Sequence, residues 1–301
     1  MKIMVLDVGG TAIKSAIFEN NSLHDIRETP SESYLGGSHL VDKMISIIRS
    51  YQTAHSFAQI GISTTGQVNP LSGTIIYAND TIPGYTGTSL KAILEAEFSV
   101  PACIENDVNA AALGEAFFGA GREEKDFVCL TYGTGVGGAV FSNGSLYFGS
   151  SFSAGEFGAI ITHPEDRKPH LDIFSGGYEQ YASTTALVKN ALKLDPSLSN
   201  GRAIFNRISE LTVKELIDKW ILEIIYGLTT VTHILNPSCI ILGGGVMEQP
   251  YVTEQIKKRF YSHIIPSFAH VKIKKAELGN QAGMLGAAIL MNEKDRLHST
   301  I

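Results

Sequence analysis

Two glycine-rich turns hold the residues of this chain best suited to chemistry. "LDVGGTAIK" places Gly9, Gly10 and Thr11 directly after a run of β-forming residues, and "LTYGTGVGGAVFSNG" places Gly133, Gly135, Gly137 and Gly138 after another. Glycine in a strand brings no packing surface and loses more backbone entropy than any other residue. What it offers is access: with no Cβ in the way, several backbone N–H groups can converge on one anion. Two such turns facing each other would hold a polyphosphate, whereas either alone is equally compatible with a tight hairpin that needs positive φ. Gly133, Gly135 and Gly138 also satisfy G-x-G-x-x-G, but "AVFSNGSLYF" after them reads as strand rather than helix, which weakens a dinucleotide reading. No glycine run leads into Gly-Lys-Ser/Thr, so a Walker A loop is absent.

The elements that must position these turns follow from periodicity. "KIMVLDV" and "IKSAIFE" read as a hairpin around Gly9-Gly10, and "FVCLTYGTGVGGAVFSNG" reads as a second strand–turn–strand. "LVDKMISIIRSYQ" has helical spacing, "AQIGISTTG" is a strand entering a glycine turn, and "SLKAILEAEF" is a helix with Ser89 at the N-cap. "PACIEND" is a strand, and the alanine-rich "VNAAALGEAFFGAG" is a helix that stops at Gly119 and Gly121. Residues 184–235 are mostly helical, "CIILGGGV" is a strand, and "AGMLGAAILMNE" is a last helix. "IMVLDVGGTAIKSAIFENNSL" and "FVCLTYGTGVGGAVFSNGSLY" form a weak internal repeat, which predicts two similarly built α/β halves facing one cleft. The expected domains are residues 1–118 plus 288–301 and residues 119–287.

Composition bounds the function. The 301 residues suit two domains, and the 44% hydrophobic and 18% charged content is that of a soluble globular protein. A net charge of −6, with no basic run longer than Lys257-Lys258-Arg259, argues against nucleic-acid and membrane-surface partners. No signal peptide or membrane span is read in the sequence. Cys103, Cys129 and Cys239 are few, far apart and set in apolar runs, which predicts buried reduced thiols in a cytoplasmic protein.

Six segments, "LDVGGTAIK", "GISTTGQVNP", "IENDVNAAALGE", "LTYGTGVGGAVFSNG", "AGEFG" and "IILGGGV", stand in the order found in the ROK (repressor, open reading frame, kinase) family, which the chain resembles from Met1 to about Leu290. The resemblance implies an α/β, actin-like (hexokinase-type) ATPase fold of two domains flanking a cleft, and ATP-dependent phosphorylation of a sugar hydroxyl. It implies that Asp7 faces the Mg2+–phosphate region, that Gly9, Gly10, Thr11 and Lys14 bind phosphate, that Thr134 and Gly135 form the opposing phosphate turn, and that Gly243 and Gly244 lie beside the adenosine. Asp107 matches the general base, with an ordinary N-cap aspartate as the alternative. Asn79, Asn106, Glu156 and Glu179 match sugar-binding positions. The family also implies a homodimer.

The chain departs from the family in one region. Ala159 stands where many members have histidine, and His170, Asp172 and Gly177 fall where a zinc loop would carry cysteines. Structural zinc wants four good nitrogen or sulfur ligands, and His163, His170 and Asp172 are a poor substitute, so no metal site of that kind is expected. Members lacking the histidine resemble β-glucoside kinases, and the 6-hydroxyl remains the expected acceptor. N-acetylmannosamine kinase and a non-catalytic sugar-binding protein are the alternatives. A repressor is disfavoured, because the first ATPase strand begins near Lys2 and leaves no room for a helix-turn-helix.

Overall fold

A computed structural model describes the backbone of residues 1–300 and the side chains of residues 1–291. The chain divides into two compact units. The first comprises Met1–Glu123, Ser145–Ala154 and the segment from Asn280 onward; the second comprises Glu124–Gly144 and Gly155–Gly279. These bounds differ from those expected at 119 and 288. The N–H groups of Gly119 and Gly121 fold back onto the Glu115 carbonyl, which ties that stretch to the preceding helix. The last helix is continuous from Ala282, so no break falls at 288.

The first unit runs β1 (Ile3–Val8), β2 (Ala12–Glu19), β3 (Ser22–Pro30), α1 (Gly37–Gln52), β4 (Gln59–Thr64), β5 (Gln67–Asn69), β6 (Thr74–Tyr77), α2 (Leu90–Phe98), β7 (Ala102–Asn106) and α3 (Asp107–Phe118). Its sheet has the order β3-β2-β1-β4-β7, antiparallel between β1, β2 and β3 and parallel from β1 through β4 to β7. Met4, Leu6 and Val8 of β1 are fully buried with Ile60 and Ile62 of β4, as expected of central strands covered on both faces. Strand β3 is mostly exposed and charged and ends in Pro30, a composition that blunts a free edge.

In the second unit β8 (Phe127–Tyr132) and β9 (Val136–Ser142) form the second hairpin; the two-residue β10 (Ser145–Leu146) then opens the segment that belongs to the first unit. There follow α4 (Glu179–Ala182), α5 (Thr184–Leu194), α6 (Gly201–Asn206), α7 (Leu211–Leu235), β11 (Cys239–Gly243), α8 (Pro250–Phe260) and β12 (Lys272–Lys275), and in the first unit α9 (Ala282–Thr300). Strands β9, β8, β11 and β12 lie side by side in that order, antiparallel across the hairpin and parallel thereafter. The sequence of β2, β1, β4 and β7 in the first sheet is the same. The internal repeat is thus a repeat of topology.

Two packing devices set the positions that matter. In the first unit, small residues let α9 approach α3 and β4: a Cβ on Gly286 would lie 1.7 Å from the Ala110 carbonyl oxygen, and one on Gly61 would lie 2.2 Å from that of Ala287. Glycine costs a helix about 1 kcal/mol relative to alanine, which close contact offsets here, and the alanine-rich run of α3 serves the same approach. In the second unit, the Trp220 indole of α7 donates to the carbonyls of Ala182 and Ser183, 3.0 Å each, and fixes the α4–α5 junction. The Tyr178 hydroxyl bonds the Ile224 carbonyl (2.8 Å) and the Tyr132 hydroxyl (2.7 Å), which anchors the end of β8.

The Ser89 side chain makes no capping bond, although Ser89 does occupy the N-cap of α2. The hairpin β5–β6, helix α8 and strand β12 are further elements that the sequence pattern leaves unassigned, the strands being too short for a period. All three cysteines are buried thiols outside any disulfide. No helix among the described residues is long and apolar enough to cross a membrane.

Candidate active site

The turn between β1 and β2 is held from its carbonyl side. The Ser31 and Ser33 hydroxyls both donate to the Gly10 carbonyl (2.8 and 2.6 Å), the Ser31 N–H bonds Thr11 O, and the Gly9 N–H bonds Ala12 O. The N–H groups of Gly10 and Thr11 have no partner among the described residues. Neither Gly9 nor Gly10 has positive φ, and a Cβ on Gly10 would meet nothing within 4 Å. A Cβ on Gly9 would lie 3.3 Å from Ala12 O, but at Gly10 neither strain nor crowding requires glycine, and what it leaves there is an open face of unpaired donors.

Asp7, near the end of β1, lies beside that face. Its Oδ1 accepts from the Ser63 hydroxyl at 2.7 Å, and its Oδ2 is 3.8 Å from Lys14 Nζ, which also reaches Asn280 Oδ1 at 3.3 Å. Burial raises the Asp7 pKa against the opposing pull of Ser63 and Lys14. A Cβ on Gly283 would sit 2.5 Å from Asp7 Oδ1, so α9 leaves room for this carboxyl only through glycine.

Asp107 is the first residue of α3, and the N-cap is Asn106. The Asn106 Oδ1 accepts from the N–H groups of Val108 (2.9 Å) and Asn109 (3.1 Å), while its Nδ2 donates to Gly66 O and to Asp107 Oδ1, both at 2.9 Å. The Asn106 side chain is thus committed to capping the helix and orienting Asp107. Asp107 Oδ1 also accepts from the Val108 N–H at 2.9 Å, and neither of these side-chain bonds reaches Oδ2. Desolvation, then the nearby charge of Asp7, push the Asp107 pKa up to about 6 against the pull of the Val108 and Asn106 bonds. Glu105 lies behind, buried, with Oε1 accepting from the Asn106 N–H and Asn109 Nδ2 at 2.9 Å each; burial raises it to about 7. Asn79 is exposed, its Oδ1 occupied by the Thr81 N–H and hydroxyl, and no hydrogen bond joins it to Asn106 or Asp107.

The second turn has a different anchor. The Gly133 N–H bonds Gly135 O (3.0 Å), the Thr184 N–H at the start of α5 bonds Gly133 O (2.9 Å), and the Val136 N–H donates to Glu179 Oε2 at 2.9 Å. The N–H groups of Thr134 and Gly135 are without partners among the described residues. A Cβ on Gly135 would lie 2.1 Å from Glu179 Oε2. This turn adjoins a cavity of about 940 Å³ whose apolar wall includes Val188, Phe205 and Val246. Its charged lining residues are Lys189 and Arg202, and no carboxylate lines it. Such a chamber suits a flat base with an anionic tail. Gly245 lines it, not Gly243 or Gly244. Gly244 instead makes the turn after β11, with φ +98 and a Cβ position 2.1 Å from Tyr132 O.

Glu156 and Ala159 flank a short 3-10 turn, both exposed, with the Ala159 N–H bonded to Glu156 O at 3.1 Å. The following loop is stapled without cysteine. His163 Nε2 bonds Glu223 Oε2 at 2.8 Å and Nδ1 bonds Glu165 at 3.1 Å, while its ring stacks on Tyr181. Burial disfavours the charged imidazole, yet the Glu223 and Glu165 bonds prevail and raise its pKa. Ser175 Oγ joins Asp172 O and the Lys168 N–H, both at 2.7 Å. Close-set metal-type donors among the described residues are His163, Glu165 and Asp166; His170 and Asp172 do not join them.

The sequence profile of the ROK family matches residues 3–294. The chain belongs to the ROK family. It is an ATP-dependent carbohydrate kinase with the actin-like ATPase fold of that family. It is 32% identical over 316 residues to the beta-glucoside kinase of Listeria innocua, covering 99% of this chain and 100% of that one. It is 29% identical to the glucokinase of Halalkalibacterium halodurans, over 96% and 94% of the two chains. The structure of a ROK family glucokinase from Streptomyces griseus in complex with glucose and AMPPNP superposes with a TM-score of 0.82 at 28% identity, covering 96% of this chain and 99% of that one.

Sequence reasoning missed Glu105, Lys189 and Arg202. A glutamate two residues before Asp107 carries no sign of burial in a five-residue strand. The two cations sit on helices whose inward face is set only by packing.

Proposed function

We propose that this kinase phosphorylates the 6-hydroxyl of a glucosyl unit, preferring β-glucosides over free glucose, with Asp107 as the general base. The observation that carries the base assignment is a carboxyl fixed by Asn106 and Val108 whose pKa is about 6. Such a group is ionised at neutral pH yet more basic than an ordinary aspartate, which suits removal of a hydroxyl proton as the phosphoryl group arrives. Magnesium carried with ATP would neutralise the β- and γ-phosphates, and Asp7, already balanced by Lys14, is the carboxylate suited to it. The free N–H groups of Gly10 and Thr11, and of Thr134 and Gly135, are suited to phosphate oxygens. Glu156 and Glu179 are assigned to the sugar. We assign the cavity of the second unit to the nucleoside.

The substrate preference rests on Ala159. Its methyl group is exposed and offers no hydrogen bond where many relatives have imidazole. A site without that partner leaves nothing unpaired when the anomeric hydroxyl is replaced by an ether, and the Listeria innocua relative is named a beta-glucoside kinase. Paired kinetics of glucose and cellobiose on the native protein and Ala159→His test this. The native protein should show kcat/KM for cellobiose equal to or above that for glucose, and the variant should move the ratio toward glucose by about 1–3 kcal/mol. A native protein inert to every β-glucoside overturns the preference. A homodimer working in the cytoplasm, where the three buried thiols stay reduced, completes the proposal; light scattering tests the dimer.

A further inference from the structure

Glu179 is assigned above to the sugar, yet the structure ties it to the phosphate turn. Its Oε2 accepts the Val136 N–H at 2.9 Å, immediately after the turn whose Thr134 and Gly135 donors are free. It lies so close that a Cβ on Gly135 would come within 2.1 Å of that oxygen. The loop carrying Glu156 lies against the same strand: a Cβ on Gly158 would be 2.6 Å from Val136 O, and one on Gly155 would be 2.5 Å from Gly138 O. Loop and β9 thus meet backbone to backbone through glycines, and Glu179, at the start of α4, bonds the first residue of that strand. The Gly133 carbonyl is held by the start of α5, so the turn is fixed on one side by Thr184 and on the other by Glu179.

We propose that Glu179 is a positioning residue for nucleotide binding: one carboxylate oxygen holds the phosphate turn in its receptive shape, and a sugar drawn to the other oxygen tightens that hold. Because binding couplings are reciprocal, sugar must raise nucleotide affinity by the same factor as nucleotide raises sugar affinity. The inference rests on the sugar-kinase reading, in which Glu179 faces the sugar.

The test is calorimetric titration of Mg·AMPPNP into the sugar-free protein, native and with Glu179→Ala, Glu179→Asp and Glu179→Gln, repeated with saturating glucose. Alanine removes the acceptor, and aspartate draws it back by one methylene. Both should weaken AMPPNP roughly tenfold without sugar, the scale of one lost charge-assisted bond. Glutamine keeps an acceptor oxygen for Val136 and should stay within about twofold of native. Glucose should tighten AMPPNP on the native protein and not on the alanine variant. If all four proteins bind AMPPNP alike without sugar, Glu179 serves the sugar alone and the proposal is wrong while the kinase reading stands. A native protein that binds no AMPPNP overturns the kinase reading and the proposal with it.

Discussion

The turn after β1 and the turn after β8 are the same supersecondary unit used in two ways. Each joins the strands of a hairpin whose first strand pairs in parallel with a later strand, and each has two N–H groups without a partner among the described residues. Their anchors differ. Neutral serine hydroxyls hold the first turn, and a salt-bridged pair, Asp7 and Lys14, stands on its strands. The Glu179 carboxylate at the start of α4 holds the second, and its strands β8 and β9 carry no charged residue. The difference teaches that topology supplies the open backbone and a few grafted side chains decide what it serves; under the proposed function these are metal-borne phosphate and proton transfer in the first unit and the nucleoside in the second.

The comparison breaks first at Asp107. Asp107→Asn keeps the Asn106 and Val108 partners and loses only proton acceptance, so kcat should fall by about 10²–10⁴-fold while AMPPNP binding and melting temperature stay near native. Unchanged turnover would remove the proton-transfer role from the first unit.

The glycines sharpen it next. Gly10→Ala meets no atom and no positive φ, so the melting temperature should hold while the KM for ATP rises about tenfold, by the loss of roughly one charge-assisted contact. Gly135→Ala drives a methyl into Glu179, so stability should also fall, by about 1–3 kcal/mol as in overpacked sites. Equal thermal shifts in the two variants would contradict the difference in anchoring.

The pH profile follows from the raised Asp107. The base must be ionised, so kcat/KM should fall as pH drops through about 6, nearing tenfold per unit below it. A flat profile down to pH 5 would rule Asp107 out as the group that titrates.

Glu105 gives the smallest effect. Its folded pKa of about 7 lies above the ordinary 4.5, so the folded state holds this proton more tightly than the unfolded state does. Stability from this group is present at low pH and is lost as pH rises through about 7. Glu105→Gln keeps the acceptor for Asn106 and Asn109. It should therefore raise the melting temperature at pH 8 and change it little at pH 5, as scanning calorimetry would show.

Much of this was legible because the turns are local: strand, glycine, strand is written in consecutive residues, and "IENDVN" marks the β7–α3 junction where Asp107 stands. The capping bonds of Asn106 were not, since capping and sugar binding call for the same amide and only the fold shows its bonds to Gly66, Val108 and Asn109. The reason for the glycines was half legible. Positive φ and close approach give the same letter; the backbone angles exclude positive φ at Gly10 and Gly135, and close approach to Glu179 is seen at Gly135. The cavity was illegible, because Lys189, Arg202 and Gly245 come from three separate elements that meet only in the folded second unit.

The central claim is transfer of a phosphoryl group to the 6-oxygen of a glucosyl unit, and the nature of the product tests it most directly. The protein is incubated with magnesium, ATP and cellobiose, and the sugar product is examined by carbon and phosphorus NMR. The account predicts ADP in equal amount to a cellobiose monophosphate whose C6 of the non-reducing glucose shows coupling to phosphorus. Phosphate on the anomeric oxygen, or no ADP formed with cellobiose, glucose or any other sugar offered, would contradict it.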